Sequence, residues 1–319
     1  MSGSRRSMLI ETVDEFLTDE CTRYAAAISY YAIFSLPALA LLATLLLGRV
    51  LDPGELESTV LGFVSGVTSE RAADAVRPVL RGVETPGQGG PLSWLLAAGG
   101  LVFGATAAFV QVQAALNRAW YVQPIGGGIR TFLWKRLVSF LLLVGLALLL
   151  LLGLGASTLL LAAGESLVSR FVEPLGPGLL FALDLLLSLA LLSVVFAAVL
   201  RLLPDAEVEW RDVALGAIAT ALVFWIGKIG IAFYLSHASP TRPFGAAGSL
   251  ALVLLWVYFT ANLLLLGAEW TQVWARRMGR GIRPSAGAVL TPRGRERESA
   301  RPAEAAATPQ PSSAEGNQR

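Results

Sequence analysis

Hydrophobic positions gather into six long stretches along the chain, and most polar positions lie in the segments between them. A helix needs about 20 apolar residues to cross a bilayer, because each backbone N–H and C=O must find its partner within the segment. We therefore expect an all-α, polytopic membrane protein with six transmembrane helices. These predicted spans, numbered first to sixth, are residues 27–50, 92–117, 137–163, 177–200, 213–235 and 244–268.

The composition agrees with an integral membrane protein and excludes several kinds of active site. Hydrophobic residues make up 55% of the 319 residues and charged residues 15%, with a mean hydropathy of +0.62, which is unlike a soluble domain. The single cysteine, Cys21, and the single histidine, His237, exclude an internal disulfide and a Cys- or His-rich metal site. The sequence also lacks HExxH, GxSxG, P-loop and CxxC motifs. We therefore expect no enzyme, no cofactor and no metal.

Basic residues predict that both termini lie in the cytoplasm. Most of the 25 Lys and Arg residues lie before residue 24, in the loops 118–136 and 201–212, or after residue 275. Lys and Arg are retained on the cytoplasmic side, whereas acidic residues have little influence on orientation. The first span is also too long for the core of a signal peptide. The sequence thus predicts a multi-pass protein of the cytoplasmic membrane.

The chain divides into three predicted parts. Residues 1–24 form a cytoplasmic N-terminus and residues 25–278 the six-helix transmembrane domain. Within that domain, residues 52–90 carry apolar positions at helical spacing and predict an external helical segment. Residues 279–319 are rich in Ala, Pro, Ser, Gly, Glu and Arg without apolar periodicity, which predicts a disordered cytoplasmic tail.

An amphipathic helix is predicted in the N-terminus, over residues 7–20. Its apolar side chains share one helical face: Leu9, Ile10, Val13, Phe16 and Leu17. This helix either lies along the membrane interface or packs on the cytoplasmic face of the bundle. Its acidic residues favour packing slightly, because anionic lipid would repel them.

Arginines just after the sixth span predict contact with anionic lipid of the inner leaflet, where each charge gains about 1 kcal/mol. They are Arg276, Arg277, Arg280 and Arg283. Membrane topology accounts for this basic run, so no nucleic-acid partner is expected. In the second span, Gly100 and Gly104 are spaced for close helix approach, either within the chain or in a homo-oligomer.

Two ionisable residues lie deep within the predicted spans, Asp184 in the fourth and Lys228 in the fifth. A charge at the centre of a spanning helix costs about 2.5 to 3.5 kcal/mol, so it needs a partner or water. Each lies about 10 Å from the outer end of its span, at 1.5 Å per residue, and consecutive spans are antiparallel neighbours. We expect an ion pair or a shared hydrogen-bond network, which either locks the two helices together or belongs to a polar cavity.

Other polar residues within the spans are candidates for the same polar interior: Tyr30, Tyr31, Ser35 and Asn262. Three residues at the cytoplasmic ends of the second and sixth spans are candidates for an inner gate or an anchor: Asn117, Arg118 and Glu269. Four acids in the loop before the fifth span either hold a cation or form a solvated turn, and the turn is favoured: Asp205, Glu207, Glu209 and Asp212.

Several short runs carry a resemblance to a known family. They are Ala25 to Pro37 in the first span, Asn117 to Trp120 after the second, Leu203 to Asp205 and Trp210 to Asp212 before the fifth, Gly227 and Lys228 within the fifth, and Phe244 to Ser249 with Leu266 to Glu269 around the sixth. Over about residues 10 to 278 the chain resembles the YihY/BrkB family of bacterial inner-membrane proteins. The resemblance implies a six-helix fold in the inner membrane. Members have been labelled ribonuclease BN, and one branch is linked to serum resistance in a pathogen.

The sequence favours transport or sensing of a small solute or lipid, through a polar interior built from the first, fourth, fifth and sixth spans. The alternative is a cell-envelope scaffold without transport, linked to surface resistance or virulence, that acts through the external segment and the tail. A ribonuclease is the weakest hypothesis, because the sequence has no visible nuclease site.

Overall fold

The structure is a computed structural model. It describes residues 7–47, 52–67, 77, 91–126, 128, 133–142, 144–149, 152–153, 155, 176–238 and 248–306. Most of the external segment after residue 67, the second half of the third span and the end of the tail after residue 306 lie outside the described residues.

Helices dominate the described chain. They are α1 Met8–Thr18, α2 Cys21–Leu47, α3 Pro53–Val67, α4 Pro91–Ala119, α5 Gly176–Leu202, α6 Trp210–Ala238, α7 Gly248–Arg277 and α8 Pro292–Ala306. The described part of the third span is also helical, at residues 133–142, 144–149, 152–153 and 155, and is called the third-span helix below. Among the described residues, three helical segments are long and apolar enough to cross a membrane: Phe181–Leu202, Trp210–Ile231 and Ala251–Arg277.

The long helices follow one another around the bundle. Helix α2 lies between α4 and α7, and α6 lies between α7 and α5. The third-span helix joins α5 to α4: Leu191 of α5 packs on Gly153, and the Arg136 guanidinium donates to the Phe103 carbonyl of α4 at 2.7 Å. The order around the bundle is therefore α4, α2, α7, α6, α5 and the third-span helix.

Helices α6 and α7 approach closely through a reciprocal pair of Gly and Thr residues. A Cβ added at Gly216 would lie 1.8 Å from the Thr271 hydroxyl, and one added at Gly267 would lie 1.8 Å from the Thr220 hydroxyl. Each threonine donates its hydroxyl to the glycine carbonyl one turn earlier in its own helix, at 2.7 and 2.8 Å. The two helices thus bury their Thr hydroxyls without losing hydrogen bonds, which is how small residues permit tight packing in membranes.

Strands and a helix occupy about half of the region where the sequence predicted a disordered tail. The strand β4 Ala288–Leu290 pairs antiparallel with β1 Val122–Pro124, and β3 Arg283–Pro284 pairs antiparallel with β2 Ala206–Glu207. Helix α8 follows, with Pro292 at its first position and the Thr291 hydroxyl accepting from the Gly294 amide as an N-cap. Residues 283–306 thus carry strands and a helix where composition predicted disorder, because composition does not register the capping residues or the pairing with two distant loops.

One end of the bundle is built from α1, the loops around β1 and β2, and residues 278–306, and is called the tail face below. The sequence placed all four of these pieces on one side of the membrane. The structure brings them into contact, which is compatible with that topology. Their cytoplasmic side remains a prediction.

Candidate functional site

Helix α1 turns its acidic face towards the bundle. Glu11 and Glu15 are one helical turn apart on this face, and both reach the last turn of α7. Arg276 bonds to Glu11 and also donates to Glu15 at 3.2 Å, while Arg277 donates to Glu11 at 2.6 Å. These partly buried ion pairs hold α1 against the end of α7.

Helix α8 contributes two further arginines from the opposite side. Arg297 forms a bidentate salt bridge with Glu15, with both nitrogen–oxygen distances at 2.8 Å. Arg293 donates a hydrogen bond to Asp19 at 2.8 Å. The fork of a guanidinium matches a carboxylate in such pairs, which makes them stronger than single hydrogen bonds. We call Glu15, Asp19, Arg293, Arg297 and Tyr121 the latch.

Tyr121 lies at the centre of the latch. Its hydroxyl bonds to Asp19 and to Glu15, and its ring lies under Arg293 and Arg297, with the guanidinium carbons 5.2 and 4.6 Å from the ring centroid. Its φ of 55° is a left-handed conformation that is unusual for an aromatic residue. Gly294 permits the close approach of α8, since a Cβ there would lie 3.0 Å from the Tyr121 carbonyl oxygen.

Titration in the latch follows from burial and from these contacts. Burial raises the pKa of Tyr121, and its hydrogen bond to Asp19 and the charge of Glu15 raise it further. Burial alone would also raise the pKa of Glu15. The hydrogen bond and positive charge of Arg297, with help from Arg276 and Tyr121, outweigh burial and lower that pKa below its ordinary value.

Two further ties hold the loops of the tail face. The Asn117 amide donates to the Asp205 carboxylate at 2.9 Å and accepts from the Asp205 backbone N–H at 2.8 Å, while Lys135 contacts the same carboxylate at 2.8 Å. Asp212 is buried and receives two hydrogen bonds from Arg280, at 3.0 and 2.6 Å. The favoured interpretation of this acidic loop as a solvated turn therefore fails for Asp205 and Asp212, which are structural anchors.

The three candidates for a gate or anchor have different environments in the structure. Asn117 is an anchor through Asp205, whereas Arg118 is exposed. Glu269 is fully buried, where one carboxylate oxygen accepts from the Cys21 thiol at 3.5 Å and the other has no hydrogen-bond partner among the residues that the structure describes. Beside it, the buried Trp120 donates its indole N–H to the Ala268 carbonyl at 3.1 Å. Glu269 and Trp120 are thus packed inside the bundle at its tail-face end, and a gating role for the three candidates stays a prediction.

Three of the four arginines expected to contact anionic lipid have acidic partners within the chain. Arg276 and Arg277 contact α1, and Arg280 contacts Asp212. Their charges are therefore used in holding the fold. Contact of Arg283 or its neighbours with anionic lipid stays a prediction.

Asp184 and Lys228 lie on faces of α5 and α6 that turn towards neighbouring helices. Lys228 follows Ala221 by seven residues and Ala217 by eleven, spacings that place side chains on one helical face, and both alanines are fully buried. Asp184 precedes Leu191 by seven residues, and Leu191 packs on the third-span helix. Both charged side chains are half-buried. Their predicted pairing stays a prediction.

The uncharged candidates for a polar interior differ in position. Tyr30 and Tyr31 are exposed and form an edge-to-face aromatic group with Phe34. Ser35 is buried and donates to the Ala32 carbonyl at 2.7 Å, and the Asn262 amide donates to the Tyr258 carbonyl at 2.7 Å. The two polar groups thus bond to their own helices, and the described contacts do not gather the four residues into one site.

The tail face also has an open cleft of about 510 Å³. Four arginines line it, together with acids and Trp210: Arg201, Arg211, Arg280, Arg283, Glu207 and Glu209. Arg201 stacks on the Trp210 ring, and Arg280 forms an ion pair with Asp212. Within the described residues, no group of three or more His, Cys, Asp or Glu side chains is arranged to hold a metal ion.

Comparison with known proteins identifies the family. The model of the family described as "Virulence factor BrkB" matches residues 12–289, which is most of the chain. The chain belongs to the BrkB family. This confirms the resemblance, and family members similar to the chain are named as membrane proteins without a stated activity.

Among these BrkB-family relatives, a "UPF0761 membrane protein" of Pseudomonas aeruginosa is 27% identical over 274 residues, covering 82% of this chain and 62% of the relative. One from Ralstonia nicotianae is 31% identical over 181 residues, covering 54% and 38%. One from Tolumonas auensis is 33% identical over 103 residues, covering 32% and 33%. The chain thus spans less than two-thirds of the length of each. No solved structure matches it.

Proposed function

We propose that this BrkB-family protein binds and moves a small solute or lipid through the interior of its helix bundle, in the bacterial inner membrane. The interior would be closed at the tail face and accessible from the opposite end. The observation that carries the proposal is a difference in burial between the two halves of α5 and α6, with both intramembrane charges in the less buried half.

Side chains between the tail face and the middle of the bundle are tightly packed. Leu116, Trp120 and Leu200 are almost fully buried, and Phe196 and Phe224 join Trp256 in a row of edge-to-face aromatic contacts. This packing leaves little room for water at that end of the bundle.

The far halves of α5 and α6 are less covered. None of the described side chains from 181 to 195 in α5 is buried, and the same holds in α6 for those described after Phe224. Asp184 and Lys228 both lie in these halves. Since ionisable residues in membrane helices face a protein interior or a water-filled cavity far more often than lipid, the arrangement supports a hydrated cavity.

A flux assay in proteoliposomes tests the proposal. Purified protein is reconstituted and tested with protons, Na⁺, K⁺, labelled amino acids and a fluorescent phospholipid, comparing wild type with Lys228→Met. The matched control is Ile229→Met, because Ile229 is the next residue and is exposed on the outside of α6. We expect Lys228→Met to abolish a flux that wild type and Ile229→Met share. Equal flux in all three proteins would contradict a role for Lys228.

A structural role for the charge pair has a different signature. If Asp184→Asn and Lys228→Met each remove the protein from the membrane, and the double variant restores both protein and activity, the pair only joins α5 to α6. If the double variant is abundant but inactive, the pair belongs to the transport path.

A scaffold without transport is the alternative. The tail through which it would act is partly engaged within the chain, since residues 283–284 and 288–290 pair with the protein's own loops. The names of the relatives state no enzymatic activity. Absence of RNA cleavage by purified protein with Mg²⁺ or Zn²⁺ would dispose of the ribonuclease hypothesis.

A further inference from the structure

The outward face of α1 is apolar and exposed. Leu9, Ile10, Val13 and Leu17 lie within about 100° of one another around the helix, and each is between 48% and 64% exposed. The acidic residues Glu11, Glu15 and Asp19 lie on the opposite face and contact arginines of the protein. The helix therefore presents to its surroundings the side chains that a soluble protein would bury.

We infer that α1 inserts this apolar face into the lipid interface of the membrane leaflet at the tail face. The sequence argued against such insertion only because the acids of α1 would be repelled by anionic lipid. In the structure, four arginines face these three carboxylates, namely Arg276, Arg277, Arg293 and Arg297. The repulsion of these three carboxylates by anionic lipid is thereby neutralised, and the apolar face of α1 is available to the membrane.

The position of α1 relative to the bundle places it at the depth of the lipid headgroups. Only two residues separate α1 from α2, which carries the first predicted span. Arg276 holds α1 through Glu15. Four residues later, Arg280 holds Asp212, which lies near the start of α6. Trp210 at that start and Trp134 at the start of the third-span helix are both strongly exposed. Exposed tryptophans at helix ends are typical of the membrane–water interface.

The same geometry gives the C-terminal helix a role in this insertion. Arg293 and Arg297 of α8 neutralise Asp19 and Glu15 from the side away from the apolar face. Docking of α8 therefore orients α1 with its hydrophobic side chains outward and its acids inward.

A depth measurement tests this inference. A single cysteine at Val13, on the apolar face, is labelled with the fluorophore NBD in the full chain, with Cys21→Ser to remove the native thiol. Serine keeps a donor for Glu269. The matched control is Thr18→Cys, because Thr18 is exposed on the polar side of α1. Both proteins are placed in nanodiscs of phosphatidylethanolamine and phosphatidylglycerol, with or without lipids that carry a doxyl quencher near the headgroup.

We expect the label at position 13 to be blue-shifted, quenched at least twofold more by doxyl lipid than the label at position 18, and shielded from aqueous iodide. Equal quenching by iodide at both positions would overturn the inference, because the apolar face would then lie in water. Shielding from iodide without doxyl quenching, together with disulfide cross-linking between two Val13→Cys chains, would also overturn it and would indicate a second copy as the occupant.

Discussion

Removal of the Arg297 guanidinium isolates the contribution of the latch. Arg297→Ala deletes the two-pronged contact with Glu15 and the stacking on Tyr121, while Arg276 still partly neutralises Glu15. The Arg297 side chain is 30% exposed and that of Glu15 11%, so the pair lies between two limits. Exposed pairs contribute about 0 to 1 kcal/mol, and loss of one partner of a buried pair costs about 3 to 5 kcal/mol. We expect a loss of about 2 kcal/mol for the docking of α8.

Amide hydrogen exchange measures this loss locally. A free-energy loss of about 2 kcal/mol raises the opening equilibrium roughly 30-fold, so α8 amides should exchange about that much faster in Arg297→Ala, with little change in α5 and α6. The control is Arg295→Ala, because Arg295 is exposed on the same helix and the change leaves helix propensity unharmed. Equal exchange in the two variants would refute the reasoning that the latch holds α8 in place.

Three further predictions concern the pH dependence of the latch and two contacts elsewhere in the fold. The lowered pKa of Glu15 means that its stabilising contribution is complete above about pH 4.5 and is lost as the pH falls through the lower folded value. The opening equilibrium of α8, taken from exchange rates corrected for the intrinsic pH dependence of amide exchange, should therefore rise on acidification in wild type and rise less in Glu15→Gln. Gly267→Ala forces a methyl group against the Thr220 hydroxyl and should cost about 1 to 3 kcal/mol, seen as a lower Tm in detergent, and Thr220→Ala should recover part of the loss. Asn117→Ala removes both hydrogen bonds to Asp205 and should cost about 2 kcal/mol, and an unchanged Tm would contradict the anchoring role.

The long helices could be predicted from the sequence because hydrophobic length is a local property. The second, fourth and fifth predicted spans lie within α4, α5 and α6, and the first and sixth overlap α2 and α7. The amphipathic helix was also predicted, since its period is visible in eleven consecutive residues of α1. The pattern could not predict which face of α1 turns inward, because that depends on arginines more than 260 residues away.

The docking of α8 on the tail face was not predicted, because it too depends on contacts between residues far apart in the sequence. Arg293 and Arg297 are four residues apart, as are Glu11, Glu15 and Asp19, so the complementary spacing of the two helices was a signal in the sequence. The start of α8 at Thr291 and Pro292 was another. Composition predicted disorder in spite of both signals, because the strands that fix α8 are only two or three residues long and pair with distant loops.

The water accessibility of position 228 tests the central claim most directly. Lys228→Cys and Ala221→Cys, each with Cys21→Ser, place a thiol on the same face of α6, seven residues apart, in the less covered half and in the packed half respectively. A membrane-impermeant thiol reagent added from the side opposite the tail face should modify position 228 and leave position 221 intact. Failure to modify position 228 from either side, in protein that is properly inserted, would contradict a hydrated interior.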